Sequence, residues 1–435
     1  MTNISIGLIG LVASLSLVAL RVPIGVALGS VSFLGIAAIL NMQAAWGIVT
    51  AVPFNFVGDW NLTAIPMFLL MGYVASSTGM TSGLFAAMRI FLSRLPGGLA
   101  VASVGACGLL SAASGSSVAV SAAFARIATP EMLRYRYDPG LAAGVVASAG
   151  TLGSLIPPSI LMLLYAYVAE VSVAKVFVAG ILPGILSALM FAAMIIVRVK
   201  LNPKLAPPVT ETYTAAEKAA VLREIWPLPV LIVAVMLGIF AGWFTPTEAG
   251  AIGAAMAIVL AAVRRTLSWS NLYHSVFQTL SGTAGIFMVV IGTVLLGRFM
   301  ALSGVPGFIT SWFVSFGAND LGVILAVAVV YLILGCFLDS IGLLLLTLPI
   351  FLPMARDTGI DLIYFCIILV KLLELGLVTP PVGLNVYVTK SALGNLVPLP
   401  TIFRGVAWFV AADLITLAML IAFPWITLTL PGLLD

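Results

Sequence analysis

The sequence predicts an all-α polytopic membrane protein of two inverted repeats, each with five crossings and one re-entrant helical hairpin. Three observations lead there. Hydrophobic residues make up 62% of the 435 residues and charged residues 8%, against roughly 45–50% and about 25% in a soluble domain. Glycine and proline contribute 41 and 24 residues, too many for a bundle of straight spans. Some helices are therefore broken, and a broken helix in a bilayer lines something polar. Finally, informative residues recur at an offset of 223 positions: Pro23 with Pro246, Ser117 with Ser340, Pro130 with Pro353, Asp138 with Asp361, Gly153 with Gly376, and Pro157-Pro158 with Pro380-Pro381.

So low a charge content excludes cytosolic enzymes, nucleic-acid binders and disordered regulators. Cys107, Cys336 and Cys366 lie in apolar stretches without paired spacing and read as small buried hydrophobes. The first apolar stretch, 4–20, has no positive residue ahead of it and Arg21 behind it. A cleavable signal has the opposite flanks, so this is expected to be a first span.

A hydrocarbon core of roughly 30 Å takes about 20 helical residues. Apolar stretches fall at 4–20, 23–40, 62–80, 98–134, 138–169, 175–198, 226–243, 246–263, 282–300, 320–356, 361–392 and 400–425. Amphipathic pieces at 42–57, 82–95 and 269–280 are expected to lie flat in the interface. The polar stretch 201–225 reads as a cytoplasmic linker between a first repeat, 1–200, and a second, 226–425, with a C-terminal tail at 426–435.

Ser114-Gly115-Ser116-Ser117 interrupts 98–134 and leaves two arms that are marginal for a full crossing, so this stretch is expected to enter and return on one side. Its counterpart is 320–356. The stretches 138–169 and 361–392 are too long for one straight span and are broken at their double prolines. Five crossings per half is an odd number, so the second half starts on the opposite face, a common plan of secondary transporters. With the N-terminus outside, most Lys and Arg, among them Arg21, Arg89, Arg94, Arg134, Arg198, Lys200, Arg264 and Arg404, fall on the cytoplasmic side. Lys175, Arg298 and Arg356 fall outside, as the positive-inside rule requires, and both termini are expected to be periplasmic.

Four motifs could carry chemistry. A helix that ends at mid-membrane leaves carbonyls unpaired, and the next begins with unpaired N–H groups. Carbonyls and hydroxyls suit Na⁺, and a helix N-terminus suits an anion. Ser114-Gly115-Ser116-Ser117 offers both, although a serine-rich packing face reads equally from the motif alone. Gly150-Thr151-Leu152-Gly153-Ser154-Leu155-Ile156-Pro157-Pro158 stops a helix and frees carbonyls, where a single proline would only kink it. Gly335 to Ser340 and Gly376 to Asn385 are their counterparts. Asp339 is the sharpest residue, because a carboxylate at mid-span costs about 2.5–3.5 kcal/mol. Either a cation or a partner such as Arg298 or Lys371 offsets that; Lys371 and Glu374, three apart, could instead pair with each other. No G-x-x-x-x-G-K-[ST] or H-E-x-x-H occurs, and the one histidine, His274, has no catalytic set around it. The sequence therefore gives no footing for an enzyme, a nucleotide or an organic cofactor.

At these motifs the chain resembles the large membrane subunit, the dicarboxylate-type permease, of tripartite ATP-independent periplasmic (TRAP) transporters. The resemblance runs through S-G-S-S-V-A, A-T-P-E-M, Y-D-P-G-L, G-S-L-I-P-P-S-I, T-P-T-E-A-G-A, G-C-F-L-D-S and T-P-P-V-G-L-N, nearly end to end. It implies the elevator-type architecture of the ion transporter superfamily, in which a transport domain carrying both hairpins slides against a scaffold. It also implies Na⁺ as coupling ion, location in the bacterial inner membrane, a small four-span membrane subunit and a periplasmic substrate-binding protein. The small subunit is expected as a separate polypeptide.

By motif, the resemblance implies one Na⁺ site at Ser114, Gly115, Ser116, Ser117, Gly150, Thr151 and Ser154. It implies a second at Gly335, Asp339, Ser340, Gly376, Thr379 and Asn385. The organic anion, a C4-dicarboxylate, sialic acid or similar acid, would lie between the tips near Ser117, Ser340, Pro158 and Pro381, with Arg298 as a carboxylate contact. The alternatives are a stand-alone Na⁺/dicarboxylate symporter of the same architecture and a passive anion channel.

Overall fold

The computed structural model describes residues 2–81, 83–208, 214–315 and 320–434. Residues 209–213 of the expected linker, and the last residue of the tail, lie outside the described residues. Among the described residues every regular element is helical. Helix starts follow local chemistry. Asn41 accepts the Ala44 N–H at 2.8 Å and opens Met42–Val57. Capping boxes, Thr214 with Glu217 and Thr245 with Glu248, open Ala215–Ile225 and Pro246–Val263.

Helix boundaries follow the repeated residues. Gly98–Ser114 and Ser117–Arg134 correspond to Asp320–Gly335 and Ser340–Asp357. Pro139–Ala149 and Ile160–Ala169 correspond to Leu362–Val378 and Leu384–Leu393, and Val173–Leu201 to Leu399–Ala422. The two matched aspartates have the same task. Asp138 accepts the Leu141 N–H at 2.8 Å, and Asp361 those of Ile363 and Tyr364 at 2.8 and 2.9 Å. Each satisfies donors that would otherwise be orphaned at the start of a helix. The double prolines match as well: Pro157-Pro158 and Pro380-Pro381 are both cis.

The halves also differ. In the first, a turn at Gly58 and Asp59 separates Met42–Val57 from Ala64–Ser77; the Asp59 carboxylate accepts the Asn61 N–H at 2.9 Å and starts a new turn. In the second half the position matching Asp59 is Gly282, which has no side chain to cap a new turn, and one helix of 35 residues runs unbroken over Trp269–Ser303. The piece at 269–280 is therefore the beginning of that helix, not a separate interfacial element.

Among the described residues five helices are long and apolar enough to cross a membrane: Val173–Leu201, Pro246–Val263, Trp269–Ser303, Ser340–Asp357 and Leu399–Ala422. Shorter apolar helices accompany them, and Ala215–Ile225 meets Pro227–Phe240 at a 51° bend. Two packing groups result. Ile24–Ile39, Ala64–Ser77, Pro246–Val263 and Trp269–Ser303 pack on one another. The arms of each interrupted stretch pack together and against the broken helices. The second halves of the broken helices cross over: Ile160–Ala169 packs on Ser340–Asp357, and Leu384–Leu393 packs on Ser117–Arg134.

Candidate functional site

The first interruption is built by three residues. Ser114 ends its helix, Gly115 takes the left-handed conformation at φ 59°, and Ser116 is extended. The Ser116 N–H donates to Ser114 Oγ at 3.4 Å, and Ser116 Oγ accepts the Ala119 N–H at 3.4 Å, capping the next helix. Its counterpart in the second interruption is Asp339, which caps Ser340–Asp357 by accepting the Gly342 N–H at 3.0 Å. The carboxylate thus has one oxygen at a helix start and is exposed to the space beyond. Lys371, a possible partner for it, is instead committed to Glu374 and Asp413.

The breaks in the long helices lie against these tips. After Ala149 the chain tightens into a 3-10 turn, Gly150–Ser154, and the Ser154 hydroxyl meets that of Ser117 at 2.6 Å. A Cβ on Gly153 would lie 3.2 Å from the Ser117 nitrogen and 3.4 Å from Ser111 Oγ, so tip and break are in contact. Thr151 Oγ1 donates to the Ser148 carbonyl at 2.7 Å. Ser159 Oγ donates to the Ser154 carbonyl at 2.6 Å. The structure therefore brings Ser114, Gly115, Ser116, Ser117, Gly150, Thr151 and Ser154 into one neighbourhood.

In the second half, Gly335 and Gly376 meet backbone to backbone. Thr379 caps the broken helix and donates its hydroxyl to the Leu375 carbonyl at 2.6 Å. Asn385 Nδ2 donates to the Ala147 carbonyl at 3.4 Å, because the half-helix after the double proline packs on the first hairpin. Its side chain therefore adjoins the first break as well.

Both tips line one cavity of about 250 Å³. Gly115, Ser116, Ser117 and Ser154 face Asp339, Ser340 and Ile341 across it, and Leu69, Tyr73, Gly282 and Ile286 of the other packing group close its far wall. Pro158 adjoins this site, its carbonyl 3.2 Å from where a Cβ on Gly115 would stand. Pro381 is exposed and is not among the lining residues. Arg298 is also elsewhere. It lines a wider cavity of about 1050 Å³, together with Arg356, Asp59, Glu170 and Glu248. The long helix that carries Arg298 places it four turns beyond Gly282, so it cannot share the tip cavity.

The donor set suits a small hard cation. Buried oxygens of Ser111, Ser121, Ser148 and Asn385 (Oδ1) have no hydrogen-bond partner among the described residues, and all adjoin the first break. At the second tip the same holds for Ser340 Oγ. Such orphaned oxygens are expensive in a dry interior unless something pairs with them. Unwound backbone and hydroxyl oxygens are the donors that broken membrane helices present to Na⁺. Ser111, Ser121 and Ser148 escaped the sequence reading because serines in a small-residue helix look like packing residues. Their signal was spacing: Ser121 lies one turn beyond Ser117.

A helical membrane bundle with two interrupted tips sharing one cavity defines the class: a multi-pass membrane transporter. The chain matches the family described as "Tripartite ATP-independent periplasmic transporter, DctM component" over residues 11–426. It belongs to that family and is a TRAP transporter large permease subunit, not an enzyme. It is 34% identical, over 87% of its length and 88% of the relative's, to the C4-dicarboxylate TRAP transporter large permease protein DctM of Pseudomonas aeruginosa. It is 30% identical to the sialic acid TRAP transporter large permease protein SiaM of Vibrio cholerae, over 87% of each chain. The fold is also that of the YdaH transporter of Alcanivorax borkumensis, with a TM-score of 0.65 and 15% identity over 89% of this chain and 91% of that one.

Proposed function

We propose that this chain imports a carboxylate-bearing solute, a C4-dicarboxylate, sialic acid or similar organic acid, driven by Na⁺ through an elevator movement. A periplasmic binding protein delivers the solute, and a small membrane subunit completes the transporter. The observation that carries this reading is the cavity shared by Gly115–Ser117, Ser154, Asp339 and Ser340. Helix N-termini at Ser117 and Ser340 offer N–H groups and dipoles to an anion, while orphaned oxygens behind them offer ligands to a cation. At about 100 mV each net positive charge carried inward adds roughly 2.3 kcal/mol of drive.

The packing supports the moving parts. The tip cavity lies at the seam between the group holding Leu69 and Gly282 and the group holding both hairpins. In the inverted-repeat reading, residues 1–200 and 226–425 are the repeats and the hairpins at 98–134 and 320–356 open to opposite sides. The wide cavity supports a common face for several of these segments. Its lining residues Asp59, Glu170, Thr245, Arg298 and Arg356 all lie at chain segments assigned to the periplasmic side. In the same assignment Tyr73 and Gly282 lie toward the cytoplasmic ends of their helices, and Leu69 and Ile286 lie near the middle of theirs.

The test is uptake of labelled succinate and sialic acid by proteoliposomes holding both membrane subunits in the inner-membrane orientation. Saturable uptake that needs an inward Na⁺ gradient and an added binding protein is expected. Uptake indifferent to Na⁺ overturns the symport. Full uptake without the binding protein favours the stand-alone symporter, and flux that does not saturate favours the channel.

A further inference from the structure

The two cavities are related by the same offset of 223 positions that relates the halves of the chain. The tip cavity has two walls. The wall formed by the hairpins and broken helices maps onto itself: Ser117 is matched with Ser340, Val118 with Ile341 and Ser154 with Leu377, and all six line the cavity. The opposite wall, Leu69 and Tyr73 with Gly282 and Ile286, maps elsewhere. Gly282 is matched with Asp59, Ile286 with Thr63, Leu69 with Gly292 and Tyr73 with Leu296. Those positions belong to the wide cavity. Asp59 lines it directly, and Ala64, Thr293 and Gly297 line it one residue from the other three matches.

The group with both hairpins thus carries one self-matched wall, while the other group presents two matched walls, one at each cavity. The second wall lies straight along from the first. Ala64–Ser77 and Trp269–Ser303 run antiparallel, since Ser77 Oγ meets Ser275 Oγ at 2.9 Å while a Cβ on Gly282 would stand 3.6 Å from Leu69 Cδ1. Gly282 to Thr293 and Ile286 to Gly297 are each eleven positions, about 16 Å of helix. On the antiparallel helix Tyr73 to Ala64 is nine positions, about 14 Å in the same direction.

We infer that the wide cavity is the second station of the tips, reached by a slide of about 15 Å, and that Arg298 meets the solute's carboxylate there; the inference rests on the elevator movement proposed above. The two walls differ in chemistry. At the first station Leu69, Tyr73, Gly282 and Ile286 offer no charge. At the second stand Thr293 and the exposed Arg298. Arg298 has no ion pair among the described residues. The other charged residues of the cavity have other tasks. Asp59 and Glu248 accept N–H groups at helix starts. Glu170 and Arg356 belong to the sliding group, where Arg356 donates to the Ala169 carbonyl at 2.7 Å. A guanidinium offers paired donors that match a carboxylate. The solute therefore meets a cation on the periplasmic side and an uncharged wall on the cytoplasmic side, which favours capture outside and release inside.

The test uses the full transporter in proteoliposomes. In a chain with Cys107→Ala, Cys336→Ala and Cys366→Ala, Ile341→Cys is paired with Gly297→Cys or, as a control for the first station, with Ile286→Cys. A Cβ on Gly297 would stand 3.8 Å from its nearest neighbour, so a cysteine fits. A disulfide needs Cα atoms within about 7 Å, so both pairs close only when the tip visits both stations. Cross-linking of each pair, arresting uptake until reduced, is expected. Suppose an impermeant maleimide reaches Ile341→Cys from the periplasmic side, yet it never links to Gly297→Cys. That overturns the second station and leaves the elevator movement standing. Failure to reach Ile341→Cys from that side, in a chain that still takes up solute, overturns both. Arg298→Gln with native cysteines is read with whichever labelled acid, succinate or sialic acid, is taken up. Its half-saturating concentration should rise at least about tenfold at an unchanged maximal rate. An unchanged half-saturation, or a fall in maximal rate alone, removes Arg298 from the second station. These kinetics decide even where the cysteine-free chain does not fold.

Discussion

Gly335 and Gly376 touch through their backbones: a Cβ on Gly376 would lie 2.7 Å from the Gly335 Cα and 2.9 Å from its carbonyl oxygen. The end of one hairpin arm is thereby pressed against the helix that breaks at Thr379. No side-chain rotation relieves a clash with backbone. Gly376→Ala should therefore push tip and broken helix apart. Overpacking of this kind costs about 1–3 kcal/mol, so a lowered melting temperature and a loss of solute uptake are expected together. Wild-type uptake in the alanine variant would show that this contact does not position the site.

Asp339 caps a helix and faces the cavity, and Asn separates the two roles. Asn caps as well as Asp does, so Asp339→Asn should unfold within about 0.5 kcal/mol of the wild type. The charge is gone, and with it the charge–charge attraction for Na⁺. Uptake should fall at least about tenfold, the kinetic equivalent of about 1.4 kcal/mol. Measuring uptake against Na⁺ concentration checks it: an unchanged Na⁺ dependence would remove Asp339 from the cation site.

Gly150 tests the first break. A Cβ there would stand 1.9 Å from Ser121 Oγ and 3.0 Å from Ser121 Cβ. Gly150→Ala should reduce both stability and uptake. The nearest obstacle is a side-chain hydroxyl, so adding Ser121→Gly should restore much of the stability. If Ser121 Oγ also serves as a cation ligand, the double variant stays transport-deficient at low Na⁺. Recovery of both together would make Ser121 a packing residue only.

The elements were readable from the sequence wherever local chemistry set them. Asp138 and Asp361, matched by offset, both open helices, and Ser116 and Asp339 occupy matching caps. What the sequence could not give was which half each residue would end up serving. Asn385 follows the second double proline, yet its side chain lies beside Ala147, because the half-helix packs on helices from the first half of the chain. Arg298, a carboxylate contact in the reading from the resemblance, is carried by helix length to the wide cavity. Lys371 and Glu374 read as a pair on one helix, and the missing third member, Asp413, lies 42 positions away.

That third member makes Lys371 indispensable in a way that spacing did not reveal. Removing it leaves Glu374 and Asp413 fully buried without their common cation. Breaking a buried ion pair by deleting one partner costs about 3–5 kcal/mol, whereas replacing the whole set with neutral groups of similar volume is often neutral or stabilising. Lys371→Met should therefore destabilise strongly. The triple variant Lys371→Met, Glu374→Gln, Asp413→Asn should recover most of that loss in thermal unfolding of the purified chain. A triple variant as unstable as the single one would mean that Lys371 acts through packing against Phe191, not through charge.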